Sequence, residues 1–114
     1  MAQVEEIENY RRILCEVIER HARLAASTPQ PETVPVCDAE HDNYLLVDVG
    51  WETEERAHYV VAHLRLRDGK VWIEKDGIEY GIARDLLAAG IPAKDIIMAA
   101  YSPRPIPLTE LAAA

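Results

Sequence analysis

The sequence predicts an α+β fold, with an N-terminal helix, a mainly antiparallel sheet of four to five strands, and helices packed on one face of that sheet. Three observations carry this reading. Apolar residues recur at helical spacing through the first two dozen positions, alternating runs fill the middle of the chain around an Asp68-Gly69 turn, and a short helical run stopped by Gly90 and Pro92 precedes a last apolar segment. At 114 residues the whole of 1–114 reads as a single domain, long enough to bury roughly two-thirds of its unfolded surface.

The opening helix is expected over about residues 3–26. Ile7, Tyr10, Leu14, Val17, His21 and Leu24 follow one another at steps of three and four and share a face, widened by Ile13 and Ile18. Glu8-Arg12 and Glu19-Arg23 are acid-before-base pairs at i,i+4 that would support the exposed side. Residues 27–35, with three prolines, read as a Pro-rich linker, because proline cannot continue a helix and forces its predecessor towards extended geometry. Val34 to Cys37 suits a short strand that Pro35 confines to an edge.

Tyr44–Trp51 and Ala57–Arg67 alternate as strands, and Asp68-Gly69 between periodic runs is the signature of a type I′ hairpin, in which both turn residues take positive φ. Pairing Arg67 with Lys70 sets Leu66 against Val71 and Leu64 against Ile73 on one face, and Arg65 against Trp72 and His63 against Glu74 on the other. Asp76-Gly77 turns the chain into a second helix, Ile78 to Ala89, with Ile82 and Leu86 inward and Gly90 as its C′ residue. Asp95–Tyr101 reads as a final strand, and residues 102–114 as an extended C-terminal tail.

Composition excludes several functions. Twelve Lys+Arg against 20 Asp+Glu give a net charge of −8, which repels a polyanion, so non-specific nucleic-acid binding is not expected and a basic partner is. No apolar run reaches the ~18 residues of a membrane span, and the start lacks the apolar core of a signal peptide, which places the chain in the cytoplasm. Cys15 and Cys37 belong to no C-x-x-C and read as reduced, packed thiols, so no metal is expected there.

Catalytic signatures are lacking: there is no nucleophile elbow, P-loop or dinucleotide fingerprint. His41, Asp42, His63, Glu74 and Asp76 would serve a metal-dependent hydrolase or nuclease only if the fold drew the strand ends together. No catalytic, cofactor-binding or metal-ligating residue is therefore assigned, and no cofactor. The candidate interaction surface is the outer sheet face, with Tyr59, His63, Arg65, Trp72 and Glu74, since Trp, Tyr and Arg dominate binding hot spots. Arg65 over Trp72 would pre-set it by a cation–π contact. The competing reading has Trp51 and Trp72 each capping a sheet face beneath a helix.

The run HDNYLLVDVGW at His41–Trp51, then Arg56, His58 and Val61–His63–Leu64, then DGKVWI at Asp68–Ile73, Asp76-Gly77, Gly81–Ile82–Ala83, Leu86, Gly90–Ile91–Pro92 and Asp95–Ile96 together resemble the XisI family, the fdxN-element excision controlling factors. Tyr10 and Thr109-Glu110 fit as well, so the resemblance spans almost the whole chain. It departs at Tyr101, where a histidine is expected before Ser-Pro, and at Ile78, where threonine is usual.

The resemblance implies an accessory role in programmed excision of a DNA element in heterocyst-forming cyanobacteria, alongside a recombinase and a second factor, XisH, of nuclease-like fold. The expected function is thus a non-enzymatic regulator of site-specific recombination that touches an XisH-like protein. A small metal-dependent hydrolase and a DNA-binding directionality factor stand as alternatives. The apolar helix and the proline-rich tail would also suit homo-oligomer formation.

Overall fold

The structure is a computed structural model that describes residues 2–26, 30–100 and 102–113. Its elements run α1 (Ala2–Ala25), β1 (Glu32–Asp38), β2 (Asn43–Glu52), β3 (Glu55–Arg67), β4 (Lys70–Asp76), α2 (Ala83–Ala88), a 3₁₀ turn (Ala93–Asp95), β5 (Ile96–Met98), β6 (Ile106–Pro107) and α3 (Leu108–Ala113). The strands form one sheet in sequence order, antiparallel throughout except where β5 joins β4 in parallel. The α+β class holds, with six strands where four to five were expected. Among the described residues, no helix is long and apolar enough to cross a membrane.

One face of the sheet carries the core. Tyr44, Leu46, Ala62, Leu64, Leu66, Val71 and Ile73 point inward against Tyr10, Ile13, Leu14, Val17 and Ile18 of α1 and Ile82 and Leu86 of α2. Burying side chains of this size contributes about 1.5–3 kcal/mol each relative to exposure. The helical stripe runs slightly differently from its sequence reading: Ile13 and Ile18 are at its centre, while Leu24 is 61% exposed near the helix end. The expected Glu8-Arg12 and Glu19-Arg23 pairs give way to Arg11–Glu8 and Arg12–Glu16. Arg11 also grips Asp42 with two bonds of 2.8 and 3.1 Å, fixing α1 to the β1–β2 turn.

The β3–β4 hairpin forms as expected. Asp68 and Gly69 have φ of 55° and 73°, and Arg67↔Lys70, Leu66↔Val71, Arg65↔Trp72 and Leu64↔Ile73 are all in register. The register then slips, so that His63 faces Lys75 and not Glu74. The slip leaves Glu74 as the extra residue of a β-bulge.

Three boundaries differ from the sequence reading, the first being the expected strand Asp95–Tyr101, which is strand only over Ile96–Met98, with Asp95 in the 3₁₀ turn and Tyr101 outside the described residues. Ser27–Pro29 lie outside the described residues, but the linker expected to reach residue 35 gives way to strand at Glu32. Pro35 is tolerated within β1 because that strand is the sheet's edge. The second helix begins at Ala83 and not at Ile78. The Asp76 carboxylate accepts the Ile78 and Ile82 N–H groups at 3.1 and 2.9 Å, and Gly81 takes φ +89°, so this stretch is held as a turn.

The end of α2 follows its reading. Gly90 has φ +105°, Gly90 N–H donates to the Leu87 carbonyl and Ile91 N–H to that of Leu86, a Schellman closure. The tail is not extended beyond its first few residues. Ile106-Pro107 pairs with β5, and α3 follows with Leu108 packed on the core. Pro103 and Pro105 delay helix formation, and α3, rich in the helix formers Leu, Glu and Ala, then starts directly after Pro107.

Candidate interaction surface

The second face of the sheet is built by the residues that alternate with the core set. Register and pleat place Val34, Val36, Leu45, Val47, Val49, Val60, His58, His63, Arg65 and Trp72 there. Most are half-buried; His58 is exposed and Val36 is 39% exposed. The described helices that pack on β1–β3 do so on the opposite side, so this face presents a valine-rich centre with a polar margin.

Four of the five expected surface residues share this face. Arg65 Nη1 donates to Glu74 Oε2 at 3.3 Å, and His63 Nε2 lies 3.0 Å from Asn43 Oδ1. Burial lowers the His63 pKa from its ordinary value, with Arg65 adding to the shift and Glu74 opposing it, which favours a neutral ring. Trp72 donates its indole N–H to the Arg67 carbonyl, and the guanidinium over its ring is that of Arg67, at 5.2 Å, not that of Arg65. Arg65 is drawn away by the bulged Glu74.

Tyr59 is the exception. Leu46 pairs with Ala62 but Val47 pairs with Val60, so Val61 is a bulge that reverses the facing of the rest of β3. Tyr59 therefore lies opposite Asp48 on the helix-bearing side, with its hydroxyl donating to Glu52 at 3.0 Å. The same reversal carries Arg56 and His58 onto the open face.

Neither tryptophan lies beneath a helix. Trp51 is 53% exposed at the far end of the open face with Arg56 5.6 Å from its ring. Two Trp–Arg pairs thus bracket the surface, and β3 lays Arg56, Arg65 and Arg67 along it. This basic row is invisible in a net charge of −8, because that sum also takes in the five glutamates of α1 and the acidic residues of the turns.

The alternative hydrolytic set is dispersed. His41 Nδ1 pairs with Asp38, Asp42 with Arg11 and the Tyr44 hydroxyl, Glu74 with Arg65, and Asp76 caps the turn before α2. Each carboxylate is engaged by its own neighbour, and these side chains do not converge on one point where an ion would sit.

One polar constellation escaped the sequence reading. His21, taken as a packing residue, sets Nε2 2.5 Å from Asp85 Oδ2, and the Tyr80 hydroxyl donates to the same oxygen at 2.7 Å. Burial alone would raise the Asp85 pKa, but the bonds from Tyr80 and His21 outweigh it and the net shift is downward. These groups lock the end of α1 to α2 beside a cleft of about 470 Å³ that Leu46, Val61, Ile78, Asp48 and Thr33 also line. The i,i+64 separation of His21 and Asp85 leaves no local signal in the sequence. The two thiols are free: burial pushes Cys15 up to about 12 and raises Cys37 as well, so neither is an activated nucleophile.

These features define a class: a small α+β protein with a six-stranded sheet whose first three strands carry the described helices on one side and none of them on the other. Within that class the chain belongs to the XisI family, whose XisI protein signature matches residues 4–113. It is similar to the crystal structure of the fdxN element excision controlling factor XisI from Anabaena variabilis ATCC 29413, at 31% identity and a TM-score of 0.73, covering 86% of this chain and 89% of that one. A XisI-like protein from the same organism is similar at 25% identity and a TM-score of 0.78, over 85% of this chain and 89% of its own. No curated protein sequence matches.

Proposed function

We propose that this chain is a non-enzymatic accessory protein that supports excision of a DNA element by docking the open face of its sheet onto a protein partner, a nuclease-fold protein of the XisH type. The observation that supports this most is the face itself. A half-buried valine centre with Trp–Arg pairs at both ends has the composition of an interface core and its anchors. The excision controlling factor from Anabaena variabilis, with which the chain shares its fold, supplies the biological setting.

The charge expectation changes in detail. The whole chain favours a basic partner, whereas this face, with Arg56, Arg65, Arg67 and Lys75, fits an acidic patch. Co-expression with the XisH-like partner and affinity purification test the proposal. A complex that survives with the natural chain and is lost in Trp72→Ala and Arg56→Glu supports it. No complex at micromolar concentrations of two folded proteins sinks it.

The basic row on β3 favours one second reading, direct contact with a nucleic-acid backbone on the same face. It predicts binding of a duplex or single strand at low salt, with the logarithm of affinity falling by about 0.7–0.9 per phosphate contact for each logarithmic step in salt. Arg67→Ala would then reduce that slope by about one contact. A flat salt dependence leaves the protein–protein reading.

A further inference from the structure

Cys15 and Cys37 carry no metal-binding motif in the sequence, yet the α1–β1 contact brings them together. Cys37 Sγ lies 3.8 Å from the Cys15 carbonyl oxygen, and the Cys15 thiol donates to Glu19 Oε1 at 3.3 Å, one helical turn further on. The three possible ligand atoms all lie within 4.8 Å of one another, the only such trio of His, Cys, Asp or Glu among the described residues. From these positions we infer that Cys15, Glu19 and Cys37 form a binding site for a borderline-soft divalent cation of the zinc class, with a fourth coordination position left to solvent.

Size and chemistry both fit. Zinc bonds of about 2.3 Å to sulfur and 2.0–2.2 Å to a carboxylate oxygen, arranged tetrahedrally, separate the ligand atoms by roughly 3.6–3.8 Å. The Cys15–Glu19 pair is already near that distance. Cys37 and Glu19 are exposed, so their side chains can adjust by the remaining ångström or so without disturbing the core.

Two thiolates beside one carboxylate select zinc, cobalt or cadmium over magnesium and calcium, which prefer all-oxygen sites. On binding, the metal replaces the thiol protons, including the one now shared between Cys15 and Glu19, and both are released to solvent. The bound ion would add a cross-link between α1 and edge strand β1, two elements that already pack against each other.

Cobalt(II) is the probe. It is titrated into the reduced full-length chain, with the sulfur-to-cobalt charge-transfer absorption and the visible bands of tetrahedral cobalt as readouts. The expected result is one cobalt per chain, displaced by zinc, with affinity weakened by about tenfold or more in Cys37→Ser and in Glu19→Gln. Circular dichroism checks that both variants fold, and zinc should raise the melting temperature of the natural chain but not of Cys37→Ser. The inference is overturned if the folded, reduced chain gives no sulfur-to-cobalt band, or if Cys37→Ser binds cobalt as tightly as the natural chain. It is equally overturned if the thiols are consumed as a Cys15–Cys37 disulfide while cobalt stays free.

Discussion

Tyr10→Phe removes a single oxygen from the centre of the fold, and its cost follows from what that oxygen touches. The ring is 3% exposed and its hydroxyl lies 2.5 Å from Asp95 Oδ2 and 2.9 Å from Glu6 Oε1. A phenol has one proton to give, so it serves these two acceptors unequally, and the shorter contact is to the buried carboxylate. Burial and both carboxylates push the phenol pKa well above its usual value, so the proton stays on the oxygen. Phenylalanine fills the same volume, so no cavity opens.

The loss is then that of one hydrogen bond to a charged, 9% exposed acceptor, about 1.5–3 kcal/mol. That range corresponds to roughly a tenfold to hundredfold change in the folding equilibrium and a fall in melting temperature of roughly 5–12 °C. Urea denaturation of the natural chain, Tyr10→Phe, Asp95→Leu and the double variant measures it. The double variant should recover part of the loss, since replacing both polar partners removes the unpaired buried charge. A Tyr10→Phe change below about 0.5 kcal/mol, or strict additivity in the double variant, would refute the reasoning.

Three further outcomes are expected. Gly90→Ala should destabilise by about 1–2 kcal/mol in thermal melts, because a Cβ there meets no neighbouring atom and only the φ of +105° opposes it. Gly77→Ala should cost about 1–3 kcal/mol for the opposite reason: its Cβ would lie 2.6 Å from the Val61 carbonyl oxygen, which also accepts the Gly77 N–H at 2.7 Å. Asp85 has a folded pKa below its unfolded value, so the stability it contributes is present above about pH 4 and is lost as pH falls through the folded value. Asp85→Asn should therefore lower stability at neutral pH and flatten the decline in the acid limb of a pH–stability curve.

Where information is local, the residues announce the structure. Asp68-Gly69 admits a two-residue turn with positive φ at both positions, and that turn alone fixes Leu66 against Val71 and Leu64 against Ile73. Gly90 followed by Ile91 closes a helix through bonds that span only a few residues. The spacing of Tyr10, Leu14 and Val17 chooses the buried side of α1 before anything packs on it.

Tertiary packing decided what periodicity cannot carry. Val61 and Glu74 are bulges, each one residue out of step with the partner strand, and a period-two pattern contains no mark of where a step is added. One moved Tyr59 off the expected surface and brought Arg56 and His58 onto it; the other took Glu74 from its place opposite His63 and gave it Arg65. The contacts of His21 with Asp85, Tyr10 with Asp95 and Cys15 with Cys37 join residues between 22 and 85 positions apart. Local propensity acts over a few residues, whereas these encounters depend on how α1 lies across the sheet, and only the assembled core sets that.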